Sequence, residues 1–268
     1  MPVLNPSLSQ GSLAANRALG SFANIGSRPK GFEFKNPMLA PGVSYRRSDD
    51  GEPGGFGSNE YTGDIALDAE VWNGLIAGAL YQHTHRGGSN DQGVSENLNS
   101  DGFSLYAAKR FFDILNAGLS YNFATTEHRL TRALNVNLDR NSNGFTTFLG
   151  LSDRIKEWSW SSTASFTYVN DNYEAQKDLD TGRFSWSSGL GYDFTKFFTL
   201  GAAFSYNNFV FQDIFPGGRI RDDDYWTIGP RARFYPCDNV TLNLDFDTEE
   251  GFAGIEAYVG RTGVDIAF

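Results

Sequence analysis

The chain has 268 residues, a formal net charge of −10 and a mean hydropathy of −0.39. Aromatic residues make up 15% of it and glycines number 30, a glycine share above the usual roughly 7%. These figures exclude membrane-spanning helices, which need ~18 consecutive apolar residues, nucleic-acid binding, which needs a basic surface, and extended disorder, which goes with few aromatics.

Residues Met1-Pro2-Val3-Leu4-Asn5-Pro6 carry neither a basic stretch nor an apolar core, so no secretory signal is read there. Asn5-Pro6 reads as an N-cap followed by proline at the first helical position. Ser7 to Asn24 is rich in Ala and Leu, and Gly26 stands where such a helix would stop. A helix of ~18 residues is ~27 Å long, close to a hydrocarbon thickness of ~30 Å. Its apolar positions (Leu8, Leu13, Leu19, Phe22) are sparse, and Asn16, Arg17 and Asn24 lie in the same segment. A disordered leader is the alternative. The expected division is 1–38 for a linker and helix and 39–268 for one all-β domain.

From about residue 39 the period becomes two. Ser159–Tyr168 sets Trp160, Ala164, Phe166 and Tyr168 on one face against serines and threonines; the next segment sets Phe184, Trp186, Leu190, Tyr192 and Phe194 against Ser185, Ser187, Gly189, Gly191 and Asp193. The same alternation recurs in Tyr61–Trp72, Phe103–Phe111, Leu115–Phe123, Phe145–Ile155, Leu200–Tyr206, Trp226–Phe234 and Val240–Phe246. Alternation of this kind predicts strands with one apolar face. In a soluble sandwich the opposite face would be charged. Here it is mostly Ser, Thr, Gly and Asn, while rings crowd the ends of the apolar face, as in a barrel with an apolar outer band, aromatic girdles and a polar lumen.

The connections alternate in length. Trp72-Asn73, Phe111-Phe112-Asp113, Lys156-Glu157-Trp158, Lys196-Phe197-Phe198 and Pro236-Cys237-Asp238-Asn239 are short and carry or adjoin rings. Asp49–Asn59, Gly87–Ser100, Thr126–Asn143, Glu174–Thr181 and Asp213–Asp223 are expected as long loops rich in Gly, Asn and Asp, with a tight Glu249–Gly251 turn last. Short turns at one end and long loops at the other predict an up-and-down antiparallel transmembrane β-barrel of about twelve strands.

The chain ends Arg261-Thr262-Gly263-Val264-Asp265-Ile266-Ala267-Phe268. Arg261, Gly263, Ile266 and Phe268 resemble the carboxyl-terminal β-signal of outer-membrane proteins, which implies recognition by the barrel assembly machinery through strand addition. A thin helix followed by about twelve strands and a terminal Phe resembles, over nearly the whole chain, the translocator domain of autotransporters, by architecture more than by motif. The resemblance implies a helix threading the lumen, an integral outer-membrane location in a Gram-negative bacterium, type V secretion, and a covalently linked upstream passenger, the chain being the last part of a longer precursor. Some members cleave themselves at an Asn-Asn pair; Asn16 and Asn24 stand alone here, so that activity is not carried over.

Strand parity assigns the lumen. If Tyr61, Ile65, Leu67 and Val71 face lipid, then Asp64, Asp68 and Glu70 face inward; Arg231 and Arg233, Asp245 and Asp247, Arg110 and Arg154 follow by the same rule. Arg17 and Arg28 are expected partners of the acids near Asp68, though charges that merely hydrate a pore are an equal alternative. Catalytic signals are weak. His83 and His85 are two apart with no third metal ligand, His128 is placed in a loop, and no G-x-S-x-G elbow is present. Cys237 alone makes no internal disulfide and no cysteine-based metal site. The expectation is a monomeric, cofactor-free, non-enzymatic translocator with the lipid bilayer as its surroundings. A porin-like channel for small solutes and a rim hydrolase are the rivals.

Overall fold

The computed structural model describes residues 37–50, 56–72, 74–112, 114–131, 135–173, 178–213, 224–252 and 255–268. The helix expected around Leu13, Asn16, Arg17, Leu19, Phe22 and Asn24, and Arg28 after it, lie outside them. The described residues form β1 (Met38–Asp50), β2 (Phe56–Trp72), β3 (Leu75–Asn90), β4 (Ser95–Phe111), β5 (Leu115–Thr131), β6 (Asn135–Asn137), β7 (Arg140–Ile155), β8 (Trp158–Tyr173), β9 (Leu179–Thr195), β10 (Phe198–Gln212), β11 (Asp224–Cys237), β12 (Val240–Phe252) and β13 (Ile255–Ala267). Every pairing is antiparallel and sequential, except that β5 passes to β7, and β13 returns to β1. The sheet is therefore a closed barrel of 12 strands, with β6 a short addition at the end of β5. Among the described residues no helix is long and apolar enough to cross a membrane.

Closure removes the free strand edges that an open sheet leaves unpaired. The seam runs from Met38↔Ala267 to Asp50↔Ile255, and the Phe268 amide donates to the Pro37 carbonyl at 3.1 Å. The seam keeps one register throughout but skips Ala40 and Pro41, and Pro41 has no N–H to give the ladder.

The outward face is apolar over a band. On β4 it runs from Phe103 through Leu105 to Phe111, and on β5 through Leu119 and Tyr121 to Phe123, all well exposed. That length matches the about 9–11 residues of a tilted transmembrane strand. Rings mark both ends. Trp72, Phe111, Phe112, Trp158, Phe194 and Phe197 stand exposed near the short turns, and Tyr45, Tyr61, Tyr81, Phe103 and Phe145 toward the loops. The turns are tight: Gly74 has φ 79°, and Phe112 and Lys156 take φ 52° and 56°, a region that disfavours side chains. Neighbouring turns are knitted together, as where the Arg110 amide donates to Gly74 O and the Ser152 amide to Ile114 O.

The loop end differs from the sequence expectation. Gly87–Ser100 is not a loop: β3 reaches Asn90, β4 restarts at Ser95, and only Asp91–Val94 lie between. Likewise β5 runs to Thr131 and β7 begins at Arg140, so much of Thr126–Asn143 is strand. The expected Glu249–Gly251 turn is part of β12, with Gly251 (φ 100°) in a register shift. Beyond Tyr81, Phe103 and Phe123 the outward residues become His83, His85, Asn99, Asn97, Thr125, Glu127 and Arg129. These extensions form a collar whose both faces are polar, and alternation fails there because neither face is apolar.

Candidate functional site

In the enclosed interior polar side chains of many strands converge. Within the height of the apolar band, the inward face of β2 carries Asp64, Asp68 and Glu70. Asp68 is buried and accepts the Tyr106 hydroxyl at 2.7 Å. Glu70 accepts the Gly74 amide at 2.6 Å and so caps the turn of its own hairpin. Arg110 lies on the inward face of β4 near the turns. Three and four strands round the wall from β2, pairing of β12 with β11 sets Asp245 directly across from Arg231. Arg231 Nη2 donates to Asp247 Oδ1 at 2.7 Å, Arg233 Nη1 donates to Asp245 Oδ1 at 2.5 Å, and Arg231 Nε lies 3.7 Å from the same Asp245 oxygen. Arg154 of β7 reaches across β8 to Asp193 of β9. The structure thus brings Arg231, Arg233, Asp245 and Asp247 into one network and keeps Asp68 apart from it. On β13, Arg261 and Gly263 share the inward face with Val259, whereas Ile266 and Phe268 share the outward face with exposed Tyr258.

The inner wall is not uniformly polar. Ala40, Ala66, Ile76, Leu80, Tyr106, Ala108 and Phe148 form a buried inward cluster on β1–β7. It exists because glycines face the rings across the ladder. Gly78 pairs with Tyr106 and Gly118 with Phe148, and a Cβ on either would lie within 2.4 Å of the ring. A polar lumen was expected from strand alternation, and this apolar strip departs from it. A possible signal was the Gly-against-aromatic register.

A second charged group, also missed, lies inside the collar. His128, expected in a loop, is on β5 with its Nε2 2.9 Å from Glu96 Oε1 of β4; the two side chains are 1% and 0% exposed. Arg86 Nε of β3 lies 3.5 Å from Glu96 Oε2, and Arg140 Nε of β7 lies 3.9 Å from Asp171 Oδ1 of β8. These contacts are oblique: both Glu96 oxygens and His128 Nε2 lack an aligned hydrogen bond among the described residues. Glu96 stands in the collar, clear of the apolar band. Burial opposes its ionisation, but His128 beside it and the cations Arg86 and Arg140 outweigh burial and hold its carboxyl below the ordinary glutamate range. Further round, Arg183 Nη1 donates to the Tyr225 hydroxyl at 3.1 Å, from β9 to β11, and Arg46 Nη2 donates to Glu249 Oε1 at 2.9 Å, from β1 to β12. Each of these links skips a strand, so the belt ties the collar's curvature as well as its neighbouring pairs.

His83 and His85 point outward, each with its own partner: His83 Nδ1 is 2.9 Å from Asp101 Oδ1 and His85 Nδ1 2.7 Å from Asn99 Oδ1. They do not converge on a common point. Among the described residues no group of His, Cys, Asp and Glu is arranged to hold a metal ion, and Cys237 is exposed at the end of β11.

Neither a protein-family model nor a curated protein sequence matches the chain. Solved structures do match in fold. The translocator domain of the autotransporter NalP from Neisseria meningitidis aligns with a TM-score of 0.65 at 10% identity, over 98% of this chain and 98% of that one. The β domain of the Bordetella autotransporter BrkA aligns at 0.66 and 12% identity, over 87% and 99%. An outer membrane channel from Pseudomonas putida aligns equally well, at 0.66 and 10% identity, over 90% and 99%. The architecture is that of outer-membrane barrels, shared by autotransporter translocator domains and by channels.

Proposed function

We propose that this barrel is the translocator unit of an autotransporter, seated in the outer membrane of a Gram-negative bacterium, where it anchors and helps export an upstream passenger. The observation that carries the reading is the placement of the chain's entry. β1 begins at the short-turn end, in the seam with β13, so the point where the barrel joins whatever precedes residue 37 lies at that end. The apolar strip of Ile76, Leu80, Tyr106 and Phe148 gives the Ala- and Leu-rich face of residues 7–24 a surface to lie on, and the acids Asp64 and Asp68 nearby suit Arg17. In this reading the segment plugs the lumen, and Arg261, Gly263, Ile266 and Phe268 are read by the assembly machinery.

A second reading, a channel for small solutes, is favoured by the β9–β12 wall. There Ser185, Ser187, Gly189, Gly191, Arg231 and Asp245 are only half-buried, and the likeness to the Pseudomonas channel is as strong as that to the translocator domains.

One experiment separates the two. A reporter domain fused ahead of residue 1, behind an export signal, is expressed in a Gram-negative host and probed with external protease. Surface exposure of the reporter is the expected result. A reporter retained inside, together with fast sugar uptake by vesicles holding the full chain, would replace the translocator with the channel. In planar bilayers, removing residues 1–36 should raise conductance sharply if the segment is a plug.

A further inference from the structure

The outer wall repeats one relation five times. In hairpins β1–β2, β3–β4, β5–β7, β8–β9 and β10–β11, the strand running toward the loop bears an outward tyrosine. Its hydroxyl donates to an asparagine or aspartate two residues before its register partner on the returning strand. The bonds run from Tyr45 to Asn59 (2.6 Å), Tyr81 to Asp101 (2.6 Å), Tyr121 to Asn143 (3.1 Å), Tyr168 to Asp180 (2.8 Å) and Tyr206 to Asp224 (3.0 Å). The register partners are Tyr61, Phe103, Phe145, Gly182 and Trp226. In β12–β13 the two corresponding positions hold Phe246 and Tyr258, stacked at 6.4 Å.

A tyrosine ring suits hydrocarbon while its hydroxyl needs a polar partner. Three of the five acceptors are carboxylates, which hydrocarbon rejects. One step toward the turns the outward residues are apolar, as at Phe103 and Phe145; one step toward the loops they are Asn99 and Asn141. In β3–β4 and β5–β7 the change from apolar to polar surface therefore falls between ring and acceptor, whereas in β10–β11 exposed Val210 and Phe211 still lie beyond Tyr206. Because the hydroxyl is bonded within the barrel, the ring is held in one direction and cannot tilt to follow a displaced interface.

We infer that this ring of tyrosine pairs fixes the height at which the headgroup layer of a bilayer meets the loop side of the barrel, leaving the strands beyond it in water as a collar. The inference rests on the membrane-barrel reading proposed above and adds where the boundary lies and what sets it.

The test uses the full chain carrying Cys237→Ser and single spin labels at Asn99, Phe103 and Leu105 of β4 and Asn141, Phe145 and Leu149 of β7, none of them a member of a pair. The protein is placed in vesicles of dimyristoyl or of dioleoyl phosphatidylcholine, and collision with oxygen is compared with collision with a nickel chelate. The preference should invert between Asn99 and Phe103, and between Asn141 and Phe145, in both lipids, the difference in thickness being taken up at the turn end. With Tyr81→Phe and Tyr121→Phe together, which keep the rings, the inversion should move with lipid thickness. An inversion that moves in the unaltered chain, or stays put in the double variant, overturns the inference alone. Labels at Leu105 and Leu149 that meet the nickel chelate overturn the membrane reading and the inference with it.

Discussion

Two sets of interior ion pairs sit in one barrel and carry different weights. Around Arg231, Arg233, Asp245 and Asp247, side chains remain up to 31% exposed to the lumen, so water screens each charge and each pair adds little. In the collar, Glu96, His128, Arg86 and Arg140 are almost wholly enclosed, and loss of a partner strands a charge without solvent. Pair count therefore says nothing about stability here; enclosure decides it. The band is held from outside by its apolar face, whereas the collar, polar outside, is held by what lies within.

The strongest way to break the contrast is Glu96→Gln. Removing one member of an enclosed pair costs about 3–5 kcal/mol, so collar amides of β3–β5 should exchange with deuterium at least about a hundredfold faster. Amides of the same strands inside the band should not change. Acid should act in the same direction. Glu96 has a folded-state value below its unfolded one, so its contribution is present above the ordinary glutamate range and is lost as pH falls through the folded value. Collar exchange, corrected for intrinsic rate, is expected to rise as pH falls below the ordinary glutamate range. Asp245→Asn, in the wetter set, should cost about 1 kcal/mol or less in urea unfolding from micelles; an effect as large as that of Glu96→Gln would erase the distinction. Smallest is Lys156→Gly at the β7–β8 turn, where relief of the positive φ should stabilise by about 0.5 kcal/mol and leave both charge sets untouched.

The band was legible in the sequence because each of its strands sets an apolar residue against a polar one. Trp160, Phe166 and Tyr168 opposite serines can be recognised without any partner strand. The collar was not. Arg86, Glu96, His128, Arg140 and Asp171 lie among Asn, Thr and Gly on strands whose two faces are both polar, so the stretch has the composition of a loop and the period of two leaves no trace in hydropathy. Parity placed Asp64, Asp68, Glu70, Arg231, Arg233, Asp245 and Asp247 on their strands, but which of them meet depends on register, and register depends on turns whose geometry composition does not reveal. The tyrosine pairs were hidden for the same reason: each joins residues of two strands, and only the alignment of the strands makes the five alike.

The interrupted seam carries a kinetic consequence. Every other neighbouring pair of barrel strands can zip from a nearby turn, but β1 must find β13 across the whole length of the chain, at the greatest loop-closure cost and with the ladder skipping Ala40 and Pro41. The last event in maturation is then the meeting of these two edges. Until it happens the molecule is a curled ribbon whose two open borders invite pairing with another copy, and the yield of correctly closed barrels is set by how quickly that one gap is shut.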